Sequence, residues 1–299
     1  MANDVPASAD VLRYQGDPTK KKLLTIWPGA RSTWLGYNFT TGPFASKPGV
    51  TPGQPTTVQG TDPGLAGRDA FSKAVDRNQL IDVACVKGTI CSAATGGVIA
   101  KGLKGYLGDG QDPSAKFDAA AAKSEYQKWD PSGSKVQGLK LDYNQSSFND
   151  TLWGNVQSQL RANLGVNVAL NPMDFPTLIS KRNAKQSILF RDSWGADYDH
   201  PQDWFDNLFT CATAQSGRGN ASGYCNPAMD KLVNQADTSQ NLSSAISTYE
   251  QAQRLRIKDV AGANLEYGTQ PYIVQSYVKG AGYTGLFDYR WEGIRILKH

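Results

Sequence analysis

The segment Arg191–Phe205 holds the densest group of side chains in the sequence that could do chemistry. Within 15 residues it carries an arginine, two tryptophans, a tyrosine and several carboxylates. It follows directly on a predicted strand, and ligands of open α/β sheets bind beyond the carboxyl ends of the strands. Carboxylates beside aromatic side chains suit a ligand with a cationic group or hydroxyl groups. A packed structural corner whose aspartates cap helices would have the same composition, so both interpretations stand here.

Other chemistries find less support in the same segment. Asp197, Asp199 and Asp203 resemble the spacing of calcium ligands, but Gln202 replaces the turn glycine and Leu208 the terminal glutamate of such a loop. Asp197 with Asp199 or Asp203 could supply the two catalytic carboxylates of a glycosidase. The chain contains no nucleophile elbow, zinc signature or P-loop, and we therefore expect no enzyme, no cofactor and no metal site.

The pattern between residues 138 and 195 predicts the elements that position this segment. Alternating apolar residues predict strands at 139–143, 166–170 and 187–193. Between them, one helix begins at a cap on Asn149 or Asp150 and closes at Gly165, and a second covers 174–185. Strand and helix in alternation predict a mixed or parallel sheet with helices on its faces.

The rest of the chain is patterned more weakly. Helices are predicted at 68–77, 78–84, 117–129, 226–236 and 242–261, loops at 40–67 and after 205, and a mixture of strand and loop in the tail 271–299, with apolar runs at 272–274 and 291–296.

Composition sets the broad class of the protein. Of 299 residues, 39% are hydrophobic and 19% charged, which is typical of a globular chain with a substantial core. The longest apolar stretches fall well short of the roughly 18 residues that a membrane-spanning helix needs. The net charge is +4 and the basic residues are scattered apart from Lys20–Lys22, so we expect no nucleic-acid partner.

The four cysteines form two pairs that are local in sequence, Cys85 with Cys91 and Cys211 with Cys225. Four cysteines allow three connectivities, of which this local pairing is the plainest. An even count in loop-like settings favours disulfides in an oxidising compartment over free thiols in the cytosol. The first residues contain no signal peptide, so we expect a mature or truncated form of an exported protein.

Several motifs together resemble the solute-binding proteins of the peptide/nickel family, the extracytoplasmic receptors of ABC importers for oligopeptides and dipeptides. Trp194-Gly195-Ala196-Asp197-Tyr198 with Pro201 is similar to the family's W-x-A-D-Y-x-x-P motif. The resemblance extends in order over four further stretches, Leu35–Asn38 with Pro43-Phe44, Arg68–Arg77, Gly223–Leu232 and the helix at 242–260.

The resemblance implies a fold and a division of the chain. It implies an α/β, periplasmic-binding-protein-like lobe of type II, in the large peptide-binding class, with a mixed sheet and flanking helices. Residues 1–30 would come from the connection between two lobes, 31–270 would form the second lobe, and 271–299 would return to the first. The chain departs from the family in being much shorter, and Val260–Ala263 stands where a proline is usual.

The resemblance also implies how a ligand binds. Asp197 would pair with the α-ammonium of a peptide, and Trp194 would pack beside it. Arg191 would either meet a ligand carboxylate or balance Asp197, Tyr198 would line the site, and Trp204 would belong to the core.

Capture would proceed by hinge closure in a monomer outside the cytoplasm, either in the periplasm or as a lipoprotein, with the permease subunits of an ABC importer as partners. An oligosaccharide remains an alternative ligand. Nickel or haem has little support from the two histidines, His200 and His299.

Overall fold

The computed structural model describes residues 8–56, 61–215, 219–282, 286 and 292–298. Its helices are α1 (Ser8–Gly16), α2 (Leu65–Lys73), α3 (Arg77–Ala84), α4 (Ala119–Trp129), α5 (Ser147–Leu164), α6 (Phe175–Asn183), α7 (Gln202–Leu208), α8 (Cys211–Gln215), α9 (Pro227–Asp237) and α10 (Leu242–Lys258). Its strands are β1 (Leu24–Tyr37), β2 (Cys91–Ala93), β3 (Lys140–Asn144), β4 (Ala169–Met173), β5 (Leu189–Gly195), β6 (Ala263–Ile273), β7 (Val278–Lys279) and β8 (Arg295–Ile296).

Six of the strands form one mixed sheet in the order β2-β6-β1-β5-β3-β4. The β3 strand is parallel to β4 and β5, as the pattern of strand and helix predicts. The β1 strand runs antiparallel to both β5 and β6, and β2 is antiparallel to β6. The predicted α/β lobe with a mixed sheet and flanking helices is therefore confirmed.

The sheet narrows to a ribbon of two strands at one end. The pairing of β1 with β5 stops at Arg31, and that of β6 with β2 stops at Gly268. Beyond these residues only 24–28 of β1 and 269–273 of β6 remain paired with each other, past an irregularity between Pro28 and Ser32.

Polar side chains begin most of the helices. The predicted ends of three helices are confirmed: Asp174 caps α6, Asn226 caps α9, and Gly165 ends α5, where the structure has it in the left-handed conformation. The predicted cap of α5 is wrong: Ser146 accepts the N–H of Asn149, so the helix begins at residue 147. Asn149 instead donates its side-chain amide to the carbonyl of Asn144.

Other predicted boundaries also need correction. The strand expected at 166–170 lies at 169–173. Val166 and Val168, whose alternation predicted it, are buried, but they lie in the connection before the strand. The loop expected after residue 205 contains the end of α7 and the whole of α8. The run expected at 291–296 includes Trp291, which lies outside the described residues. The sequence patterns missed β1, β2, α1 and most of β6.

The two disulfides of the plainest pairing are both present. Cys85 is bonded to Cys91 with their Cα atoms 5.1 Å apart, and Cys211 to Cys225 with their Cα atoms 4.4 Å apart. Within the part of the chain that the structure describes, no helix combines the length and the apolar character needed to cross a bilayer.

Candidate functional site

A cavity of about 480 Å³ opens beside the carboxyl end of β3, on one face of the sheet. This is where ligands of α/β sheets bind. The lining residues come from β1, β3, β5 and β6, from the start of α5 and from the loop before β2: Gly29, Arg31, Ile90, Asn144, Ser146, Phe148, Asn149, Arg191, Gly268, Thr269 and Gln270.

Strand pairing brings two arginines and a glutamate to this face. Thr33 of β1 pairs with both Ser193 of β5 and Glu266 of β6. Because alternate residues of a strand point to the same side, Arg31 and Arg191 lie on the side to which Glu266 points. The distance from Arg31 Nη2 to Glu266 Oε1 is 3.4 Å.

The charges of this cluster are not balanced. Two guanidinium groups face one carboxylate, which leaves a single positive charge. Glu266 is fully buried, and its Oε2 atom and the Nε atoms of Arg31 and Arg191 are buried without a hydrogen-bond partner. Burial and repulsion from the neighbouring Arg31 lower the pKa of Arg191 to about 10, so it stays protonated at neutral pH. The cavity is therefore equipped to take an anionic group.

The start of α5 adds polar and aromatic groups to the same cavity. Asn144 ends β3, and Ser146 caps the helix that follows. The guanidinium of Arg31 lies 5.8 Å from the centroid of the Phe148 ring, a cation–π contact. The amide of Asn149 is tied to Asn144 and keeps this corner in place.

The motif loop, residues 194–203, is organised around the buried carboxylate of Asp203. Trp194 Nε1 donates to Asp203 Oδ2 at 3.1 Å, and the backbone N–H of Asp197 donates to the same oxygen at 2.8 Å. Burial raises the pKa of Asp203, against these hydrogen bonds, which lower it. Asp203, for which the sequence left open a calcium ligand, a catalytic carboxylate and a structural role, thus holds the loop together.

The motif loop adjoins the cavity through its backbone, since Gly195 pairs with Arg31 of the cavity lining. The N–H of Ala196 donates to the carbonyl of Ala30 at 2.7 Å, and both neighbours of Ala30 line the cavity. Asp197 follows directly. Its side chain is exposed, and its carboxylate has no hydrogen-bond partner among the described residues.

The four residues singled out from the sequence have different settings. Arg191 lines the cavity, and Asp197 is exposed on the motif loop, which adjoins the cavity. Trp194 is half-buried with its N–H bound to Asp203, and Tyr198 is 43% exposed. Trp204 is fully buried, as expected of a core residue.

The other aspartate of the loop is already engaged. Asp199 Oδ2 lies 2.8 Å from Lys104 Nζ, and Asp199 Oδ1 accepts the backbone N–H of Lys104. Among the described residues, no group of three or more His, Cys, Asp or Glu side chains is arranged to hold a metal ion.

Sequence reasoning missed Arg31, Phe148 and Glu266. None of them belongs to a local motif, since they lie on β1, α5 and β6. Recognition of β1 and β6 as central strands would have placed Arg31 and Glu266 near Arg191, but their cross-strand register is set by tertiary pairing.

Comparison with known proteins identifies the class. The family model of bacterial extracellular solute-binding proteins, family 5 (middle region), matches residues 3–216. The chain therefore belongs to the family 5 bacterial extracellular solute-binding proteins, and the resemblance read from its motifs is confirmed.

Individual relatives are similar over part of their length. The periplasmic murein peptide-binding protein MppA of Escherichia coli is 29% identical over 142 residues, 48% of this chain and 26% of MppA. The periplasmic oligopeptide-binding protein OppA of Salmonella typhimurium is 29% identical over 164 residues, 53% of this chain and 28% of OppA.

A solved structure shows the fold over nearly the whole chain. The unliganded open form of the murein tripeptide-binding protein MppA superposes with a TM-score of 0.79 at 22% identity, covering 99% of this chain and 53% of MppA. The chain thus spans about half the length of this structural relative.

Proposed function

We propose that this chain is the ligand-binding lobe of an ABC-importer receptor that captures peptides by hinge closure, without making or breaking a bond. The observation that carries the proposal is the opposite charge of two adjoining surfaces. An unpartnered, exposed carboxylate on Asp197 lies on the loop beside a cavity with one excess positive charge. A peptide presents the complementary pair, an ammonium group and a carboxylate.

The separation of Arg191 from the motif loop suits a short ligand. At about 3.3 Å per residue, the four steps along β5 from Arg191 to Gly195 span roughly 13 Å. Arg31 pairs with Gly195 and lies nearer to the motif loop. A peptide of a few residues in extended form covers a similar length. Asp197 would accept the ammonium group, and Arg191 with Arg31 would receive the terminal carboxylate or an acidic side chain.

The two-stranded ribbon supports closure against a second lobe. In the ribbon, residues 24–28 pair with 269–273, and among the described residues no third strand of the sheet pairs with it beyond Thr269, which is bonded to Ile90. A pair of strands that bends at the irregularity beside Pro28 would let two lobes approach each other. In this proposal residues 1–30 and 271–299 belong to the connection and to the other lobe.

Names of relatives support the same ligand class. MppA and OppA are named for binding murein peptide and oligopeptides. We infer for this chain a place outside the cytoplasm, in the periplasm or as a lipoprotein, action as a monomer, and ABC permease subunits as partners. The two disulfides agree with an oxidising compartment.

Titration calorimetry of the complete receptor with a pool of short peptides tests the proposal. Asp197→Asn should weaken binding about ten- to a hundredfold, since one charge-assisted contact is lost. N-acetylation of the peptides should cost as much, and the two losses should not add, because they remove the same contact. Asp199→Asn is the matched control, with the same charge change on a carboxylate already bound to Lys104.

A second series addresses the basic cavity. Arg191→Gln should weaken binding of peptides with a free carboxylate and leave binding of their amidated forms unchanged. Tight binding of an oligosaccharide pool with no heat from peptides would overturn the peptide assignment. Turnover of either pool would overturn the conclusion that the protein only binds.

A further inference from the structure

Of the residues that line the cavity within the described ranges, only Ile90 and Phe148 have large apolar side chains. Phe148 is engaged with Arg31. Ile90 therefore supplies the aliphatic wall, facing a lining that is otherwise polar or basic. Whatever fixes Ile90 also fixes the shape of the cavity.

Ile90 belongs to the clamp loop, residues 86–90, which is unfavourable by itself. Val86, Lys87 and Gly88 all have positive φ, at 50°, 54° and 81°. Positive φ is rare for residues other than glycine and a genuine outlier for β-branched valine. Backbone hydrogen bonds from Thr89 to Cys85 and from Lys87 to Asp82 offset part of this cost, and restraints from outside the loop add to them.

Two sets of restraints hold the clamp loop. The Cys85–Cys91 disulfide joins its ends, since Cys85 directly follows α3 and Cys91 begins β2. Across the loop, Thr269 donates its backbone N–H to the Ile90 carbonyl at 3.1 Å and its hydroxyl to the Thr89 carbonyl at 2.9 Å. Thr269 itself lines the cavity, so the loop and the cavity wall are one unit.

The strand that follows the loop is a weak anchor. The β2 strand has three residues and lies at the edge of the sheet, paired only with β6. A short edge strand frays at little free-energy cost. Its last pair joins Ala93 to Glu266, the residue that holds Arg31. The disulfide therefore secures both Ile90 and the backbone beside the charged cluster.

We propose that the Cys85–Cys91 disulfide is a positioning element of the binding site, and that Ile90, held by it, determines which ligand side chain the cavity accepts. This inference rests on the proposed binding function. It names an aliphatic wall in the same cavity as the arginines, which selects a ligand with an apolar group next to its anionic group. The second disulfide has no such role, because none of the lining residues lies within or beside residues 211–225.

The chain supplies its own matched control. The Cys211–Cys225 disulfide closes 14 residues against 6 for Cys85–Cys91. In the loop-entropy description the longer loop stabilises the protein at least as much. Loss of global stability alone should therefore affect C211A/C225A as much as C85A/C91A. Alanine is chosen because Cys85, Cys91 and Cys225 are fully buried.

The experiment compares the two double variants with the wild type in binding a pool of short peptides, and identifies the retained peptides by mass spectrometry. C85A/C91A should weaken binding about tenfold or more and broaden the range of retained side chains, whereas C211A/C225A should stay within about twofold. Ile90→Ala, with both disulfides intact, should enrich peptides with bulkier apolar groups. This variant keeps the test valid if C85A/C91A does not fold.

Hydrogen exchange provides a readout that needs no ligand. The Thr269 amide should exchange faster in C85A/C91A and remain protected in C211A/C225A, because only the first variant frees the clamp loop. Unchanged affinity and unchanged peptide selection in C85A/C91A would overturn the inference, as would equal losses in both variants. Absence of peptide binding by the wild type would overturn the proposed function instead, and the exchange result would still decide whether the disulfide holds the cavity wall.

Discussion

Asp203 gives a sharp test of how the motif loop is held, because one oxygen atom accepts two hydrogen bonds. Trp194 Nε1 and the N–H of Asp197 both donate to Oδ2, the side-chain amide of Asn207 approaches Oδ1 at 3.5 Å, and the backbone N–H of Tyr198 also interacts with the carboxylate. Asp203→Ala removes the acceptor for both donors. Asp203→Asn keeps one carbonyl oxygen, which can occupy the Oδ2 position and serve both.

The expected magnitudes follow from this difference. Each hydrogen bond to a charged acceptor contributes about 1.5–3 kcal/mol, and burying the Asp203 carboxylate, which raises its pKa, offsets part of the sum. We expect Asp203→Ala to cost about 2–4 kcal/mol. Asparagine avoids the cost of burying a charge, so Asp203→Asn should cost less than about 1.5 kcal/mol.

Denaturant unfolding at neutral pH, followed by circular dichroism, measures both variants. Asp203→Ala should also weaken ligand binding, because the loop that carries Asp197 loses its anchor. Asp199→Ala, which breaks an exposed ion pair in the same loop, should cost less than about 1 kcal/mol. Equal destabilisation by Asp203→Ala and Asp203→Asn would refute the reasoning, since the negative charge and not the acceptor position would then hold the loop.

Two further changes test the packing around the site. Burial and the neighbouring Asp237 raise the pKa of Asp206 to about 6. The folded state therefore holds the proton of this carboxyl group more tightly than the unfolded chain does. The free energy of unfolding should accordingly fall as pH rises from about 4 to 6. The amide of Asp206→Asn can donate to Asp237, so this variant should flatten that fall. It should raise stability at pH 7 by about 1 kcal/mol after allowance for solvent screening. An unchanged pH profile of unfolding would contradict this. Gly36→Ala would place a Cβ 2.4 Å from the Phe190 ring across the β1–β5 pair and should destabilise by about 1–3 kcal/mol, whereas a wild-type melting temperature would show that the ring can move aside.

Local sequence determined the parallel half of the sheet. The strands β3 and β5 and the helices α5 and α6 carry their own signals: alternating apolar residues, Asp174 before Pro176, and Gly165 in a left-handed turn. The signal for β4, Val166 and Val168, lies just before the strand. Each signal acts over a few residues, because caps and side-chain alternation are short-range effects. The motif around Asp197 and the local cysteine pairs were likewise readable, since each lies within one stretch of chain.

Tertiary structure alone decided the central strands and the charged cluster. The β1 strand, residues 24–37, is interrupted by Pro28, Gly29 and Gly36, and it is a strand because β5 and β6 flank it. Arg31 and Glu266 are 235 residues apart, and they meet because of one register between β1 and β6. Register fixes which face every side chain takes, and it depends on the partner strand and on nothing local. The cavity exists for this reason: its lining comes from segments that the sequence keeps far apart and that only the folded sheet brings together.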